Sequence, residues 1–281
     1  MPVHVLTLVC PDRPGIVASI SQGLVELDAN ILENAQFGDQ PTGMFCMRTR
    51  FETPVEASDR IEDALEPRST ALGASVRVRR EDQRQRVLVM VSRYDHCLVD
   101  LLYRWRAGEL AIDIPLVVSN HTDLGELVAG HGIAFEHLPV TPETRADADA
   151  RLLRLVDESA IDLVVLARYM QVLSEPVCIA LAGRAVNIHH SFLPGFKGAK
   201  PYHQAWQRGV KLIGATAHYV TPELDEGPII DQDVARVSHA HTPEQMLIIG
   251  RDLERLVLSR AVKAHAEGRV FLLGRRTVVF S

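Results

Sequence analysis

The stretch VNIHHSFLPGFKGAKPYHQAWQRGVKLIGATAHYVTPELDEGPIID, residues 186–231, is where the chain gathers its reactive side chains. A short apolar strand from Ala185 to Ile188 delivers Asn187 and His189 two residues apart. Side chains alternate along a strand, so both face the same side. Pro194, Gly195 and Gly198 punctuate the loop that follows, and a short helix is expected from about Tyr202 to Gln207. A second apolar run, Leu212 to Val220, carries His218, and the chain then turns through residues 221–228, with Asp225 inside the turn. These residue types suit acyl chemistry at a neutral carbonyl. An amide can hold an oxyanion, an imidazole can move a proton, and a carboxylate can orient both.

Upstream of this stretch, short buried strands alternate with helical segments. VLVMVS (87–92), Ile114 to Ser119, Ile133 to Leu138 and DLVVLA (162–167) read as strands. Helices are expected from Asp95 to Arg106, Asp123 to Gly130 and Ala146 to Glu158. The alternation predicts an α/β domain with a mostly parallel, doubly wound sheet. Ligands of such sheets bind beyond the carboxyl ends of the strands, which gathers the loops after Ser92, Ala167 and His189 on one rim. No G-x-G-x-x-G follows the first strand and no G-x-x-x-x-G-K-[ST] occurs, so no nucleotide cofactor is expected. Downstream, a strand over 229–237, a long helix from Thr242 to Glu267 and two terminal strands complete the domain. His239 and His241 form an H-x-H without a spaced third ligand, and no metal is expected there.

The order N-x-H, then S-x-L-P-x-F-K-G, then L-D-x-G-P-I-I resembles the folate-dependent formyltransferase family over roughly residues 86–281. That resemblance implies a catalytic trio of Asn187, His189 and Asp225. It also implies a pterin-binding loop, here Met170, Gln171, Val172 and Leu173, used together with His218, Val220, Thr221 and Leu224. The loop after the first strand separates family members. Here Ser92 to Cys97 contains no glycine, whereas a phosphate-binding nest needs converging backbone N–H groups. The sequence is therefore similar to the hydrolase branch of the family. The implied reaction is cleavage of 10-formyltetrahydrofolate by water to tetrahydrofolate and formate, with the folate as substrate and no cofactor. The implied use is supplying formate for purine synthesis and balancing the one-carbon folate pool. The alternative is a formyltransferase to an amine acceptor; a catalytically silent folate- or amino-acid-binding regulator is a further rival.

The first 80 residues read differently. VHVLTLVC (3–10) is a strand, with a helix beyond Pro11 that Asp12 can cap. Strands at Asn30 and 44–51, a helix over Ser58 to Leu65 and a strand over Ser75 to Arg79 follow. This order is the ferredoxin-like plan. CPDRPGIVASIS and NILENAQFGD resemble the ACT family of amino-acid-sensing domains, which implies an effector site at Asp12, Gly15 and Asn30. Glycine and methionine are the effectors implied, and a homo-oligomer, dimer or tetramer, is expected. The division predicted is 1–81 ACT-like regulatory domain, 82–86 linker and 87–281 formyltransferase-like catalytic domain.

The 281 residues suffice for two such domains, and 47% hydrophobic content suffices for their cores. A net charge of −6 speaks against nucleic acid as a partner; Arg77, Arg79, Arg80, Arg84 and Arg86 are the local exception and read as a solvated strand end. Four scattered cysteines, Cys10, Cys46, Cys97 and Cys178, suggest a reducing compartment. Without a basic leader or a run of ~20 apolar residues, a cytoplasmic protein with no membrane partner is expected.

Overall fold

The computed structural model describes residues 1–195 and 201–281, and only the backbone of Pro201. The chain divides into two units, one formed by Met1–Arg84 with Glu267–Ser281 and the other by Gln85–Ala266.

The first unit is a four-stranded antiparallel sheet in the order β2-β3-β1-β4. Its strands are β1 (Val3–Pro11), β2 (Asn30–Asp39), β3 (Met44–Glu52) and β4 (Ser75–Arg80), with helices α1 (Ile16–Val25) and α2 (Ser58–Leu72) between them. This is the expected ferredoxin-like plan. Alternation sends Leu6, Leu8 and Cys10 of β1 to one face, where Ile20, Leu24, Ile61 and Leu65 of the helices cover them. α1 starts later than expected. Its N-cap is Gly15, in the left-handed region at φ 92°, and no side chain caps it, so Asp12 is not the cap. α2 runs through Pro67 to Leu72, well past the expected end.

The C-terminal segment corrects the predicted division. β12 (Val270–Leu273) and β13 (Arg276–Val279) form a hairpin that belongs to the first unit, not to the catalytic one. Phe271 and Leu273 pack on Cys46, with Val9 and Met44 alongside. Those residues lie on the sheet face opposite the helices, so the hairpin buries apolar surface that an isolated four-stranded sheet would expose.

The second unit holds a seven-stranded sheet in the order β11-β10-β9-β8-β5-β6-β7. The strands are β5 (Gln85–Val91), β6 (Ile112–Ser119), β7 (Ala134–His137), β8 (Leu163–Leu166), β9 (Ala185–His189), β10 (Leu212–Tyr219) and β11 (Ile229–Arg236). β7-β6-β5-β8-β9 run parallel; β10 is antiparallel to β9, and β11, antiparallel to β10, returns to the common direction. β5 and β8 are apolar and buried on both faces, as central parallel strands must be. Around the sheet stand α3 (His96–Arg106), α4 (Gly125–Ala129), α5 (Arg145–Glu158), α6 (Glu175–Ala180), α7 (Pro201–Gln207) and α8 (Pro243–Ala266). β5 comes first in the chain, and the order then runs outward on both sides of it. The topological switch point therefore lies between β5 and β8.

Candidate active site

The C-terminal ends of β8 and β9, with the chain leaving β10, surround a cavity of about 350 Å³. β9 supplies Asn187 and His189, on one face as the period of two requires. β10 runs antiparallel beside it and sets His218 opposite Asn187. The turn after β10 returns Asp225 to the same place. Tyr219 N–H donates to the Pro228 carbonyl at 2.9 Å and closes the base of that turn. Asp225 itself sits in the left-handed region at φ 57°, an uncommon conformation for a residue with a side chain.

The site is wired from His218 outward. Its Nδ1–H donates to the Tyr219 carbonyl at 2.9 Å. Burial lowers the His218 pKa, so the ring is neutral and Nε2 is left as an acceptor. The group 3.2 Å from that Nε2 is the Asn187 side-chain Nδ2, which must therefore donate. Asn187 is thus held with its NH₂ end inward and a second N–H to spare. His189 Nδ1 lies 3.2 Å from Asp225 Oδ1, and His218 Nε2 lies 3.9 Å from the same oxygen. His189 Nε2 is buried with no hydrogen-bond partner among the described residues. Burial works against the Asp225 charge, but the carboxyl is held below its ordinary value, foremost by its hydrogen bond with His189. A carboxylate, an imidazole with one nitrogen uncommitted and a free amide N–H thus converge on the cavity.

The remaining wall is largely apolar. Met170, Gln171, Val172 and Leu173 form it without helix, together with Val220, Thr221 and Leu224 from the turn. Met170, Val172 and Leu224 are half-exposed, so the cavity mouth is faced with apolar side chains of a kind that a flat ring would cover. The loop is pinned at both ends. Met170 N–H donates to Ser92 Oγ at 2.9 Å, and Arg145 Nη1 donates to the Val172 carbonyl at 2.6 Å.

Residues 85–262 match the formyl transferase family. The chain is 49% identical to the formyltetrahydrofolate deformylase of Corynebacterium sp. (strain P-1), over 98% of this chain and 97% of that protein. It belongs to the formyltetrahydrofolate deformylase family. The crystal structure of the Burkholderia mallei deformylase superposes with a TM-score of 0.96, at 50% identity and complete coverage of both chains. Glycinamide ribonucleotide transformylase 1 of Symbiobacterium toebii superposes with a TM-score of 0.67 at 32% identity, covering 70% of this chain and 95% of that one. The deformylase likeness thus runs through both units, and the transformylase likeness through part of the chain.

Several residues of this deformylase site were not singled out from the sequence. His190 follows His189 with ring centroids 5.1 Å apart, and burial, with the Arg168 charge, pushes its pKa down to about 3. Arg168, at φ 63°, lines the cavity and is 93% buried, since its relative exposure is 7%. Behind it lies Glu254, fully buried on α8. Glu254 accepts from Tyr202 Oη at 2.7 Å, contacts His96 Nε2 at 2.8 Å and stands 3.4 Å from Arg168 Nε. His96, the first residue of α3, is thus a partner of Glu254. His96, Cys97 and Glu254 bring ligand-type atoms within 4.8 Å of one another. Both carboxylate oxygens are already engaged and burial pushes the Cys97 thiol well up, so the group works as a hydrogen-bond network rather than a cation cage. Gly227 lies in the turn expected over residues 221–228. A Cβ there would overlap the Tyr219 carbonyl oxygen that holds His218.

The effector residues divide. Asp12 and Gly15 adjoin the end of β1, where Pro11 pairs with Met44, and an Asp12 carboxylate oxygen lies against Gly38. Asn30 does not join them. It pairs with Glu52 at the opposite end of the sheet, and its amide donates to the Glu52 carboxylate at 3.2 Å. Gly38 lies eight positions further along the strand, about 26 Å away at the ordinary rise. The Phe196–Gly198 end of the S-x-L-P-x-F-K-G motif lies outside the described residues.

Proposed function

We propose that the chain hydrolyses 10-formyltetrahydrofolate to tetrahydrofolate and formate. The observation that carries the reading is the convergence of Asn187, His189 and Asp225 on a cavity with an apolar mouth. The pterin rests on the loop of residues 170–173 and the turn of residues 220–224, and the formyl group reaches the trio. Water attacks the formyl carbon and charge collects on the formyl oxygen. The spare N–H of Asn187 meets that oxygen; such a donor is typically worth about 3 kcal/mol of barrier. Asp225 orients His189 through Nδ1 and positions the water. His189 Nε2 carries a proton to the departing N10. The C–N10 bond then breaks, giving tetrahydrofolate and formate.

The reaction uses the folate as substrate and draws its charge stabilisation from side chains, with no cofactor. The biological role that follows is formate supply for purine synthesis and balance of the one-carbon folate pool. The N-terminal unit acts as an ACT-type regulatory domain, with glycine or methionine as effectors near the Asp12–Gly15 turn, in a homo-oligomer. Cytoplasmic location is supported by four free cysteines, all buried. Among the described residues, no helix is long and apolar enough to cross a membrane.

The test is incubation with 10-formyltetrahydrofolate in amine-free buffer. Tetrahydrofolate and formate should appear one for one. Turnover only on adding an amine would make the chain a transferase. Titration of glycine and methionine into the same assay should change the rate; no response to either would overturn the regulatory reading.

A further inference from the structure

In a doubly wound sheet, ligands settle in the crevice at the switch point, here beyond the ends of β5 and β8. In this chain that crevice is filled by its own side chains. Ser92, directly after β5, donates its N–H to the Arg168 carbonyl and receives the Met170 N–H on Oγ. Arg168, two residues after β8, turns back in a backbone conformation that favours glycine. Its guanidinium lies under the Tyr94 ring, 5.2 Å from the centroid, and beside the buried Glu254. Nε and Nη1 have no hydrogen-bond partner among the described residues. A left-handed arginine with a buried, incompletely bonded charge is costly on both counts. Nothing in the hydrolytic chemistry uses it, yet it lines the reactive cavity with Asn187, His189 and Asp225.

We infer that Arg168, braced by Tyr94 and Glu254, is a specificity-determining plug. It occupies the ground on which a second substrate would stand beside the formyl carbon, and leaves room for water alone. The inference rests on the hydrolase reading above. With the plug removed, a primary amine can take the place of water. Its nitrogen bonds to the formyl carbon, the C–N10 bond breaks, N10 gains the proton the amine loses, and the products are tetrahydrofolate and a formamide. Glycine is the natural replacement because it suits φ 63° without strain.

The experiment reads how the formyl group divides between water and added glycinamide, as formate against N-formylglycinamide, in the wild-type chain and in Arg168→Gly. The wild-type chain should give formate with at most a trace of formamide at every amine concentration. Arg168→Gly should give formamide in proportion to the amine, raising the amine-to-water ratio about ten-fold or more, the scale on which pocket shape discriminates. Tyr94→Ala, which opens the crevice from its half-exposed side, should shift the ratio the same way, and it decides the matter should Arg168→Gly fail to fold. A loss of packing alone lowers turnover without moving this ratio. Wild-type hydrolysis with an unchanged ratio in the folded variants would overturn the plug. A wild-type chain that releases no formate without amine would instead overturn the hydrolase reading.

Discussion

The Asn187 side-chain amide donates to His218 Nε2 across 3.2 Å, and the His218 Nδ1–H bond to the Tyr219 carbonyl decides that direction. His218 is thus a positioning residue for the oxyanion donor. His218→Ala should lower kcat about ten- to a hundred-fold, the scale of a partly lost oxyanion contact, with little change in KM. Steady-state kinetics checks this; a raised KM with unchanged kcat would mean that His218 serves folate binding instead.

Gly227→Ala should disable the same lock from behind. The added Cβ would overlap the Tyr219 carbonyl oxygen and crowd His218 Nδ1. The expected result is a folded but less stable chain, by about 1–3 kcal/mol, with kcat reduced as far as in His218→Ala. Urea denaturation and the same kinetics read both parts. Full activity in the variant would show that the lock is not needed.

Acid should destabilise the catalytic unit through His190. Its pKa is held at about 3 in the folded chain against an ordinary 6.5. A histidine depressed on folding stabilises fully above the unfolded value. That stability is lost as pH falls from about 6.5 towards about 3, while the unfolded chain takes up the proton. His218, lowered by burial, acts in the same direction. His190→Gln should therefore flatten the fall of stability between pH 6 and 4 by up to about 1.4 kcal/mol per pH unit. Urea denaturation at several pH values measures the slope; an unchanged slope would mean that His190 is charged when folded.

Glu254→Gln should be strongly destabilising, by about 3–5 kcal/mol, because it leaves the buried Arg168 guanidinium without a counter-charge. The same denaturation assay applies. A cost under about 1 kcal/mol would show that water reaches the pair.

What could be read in the sequence follows from range. Runs such as VLVMV and LVVL declare buried parallel strands by themselves, and Asn187 and His189 share a face because strand period is local. Asp225 is distant in sequence from the pair it joins, and it was legible through its motif. The Arg168–Glu254 pair spans 86 positions between a loop and a helix, and no local pattern announces it. The helix expected over Ser58 to Leu65 continues through Pro67 to Leu72, which packs in the same core as Leu65. The terminal hairpin was assigned to its sequence neighbour because only the register of β1 and β3 reveals the bare face around Cys46. Asn30 was grouped with Asp12 by motif, and the same register places them at opposite ends of the sheet.

The most direct test of the site is single-turnover formate release from 10-formyltetrahydrofolate, without any amine, by the wild-type chain and by Asp225→Asn. The substitution keeps the shape and removes the charge that orients His189 Nδ1 at 3.2 Å. The wild-type chain should release formate stoichiometrically, and the variant should be slower by about 10²–10⁴-fold, the range for general acid–base assistance. A folded Asp225→Asn chain that releases formate at the wild-type rate would contradict the assignment of the trio.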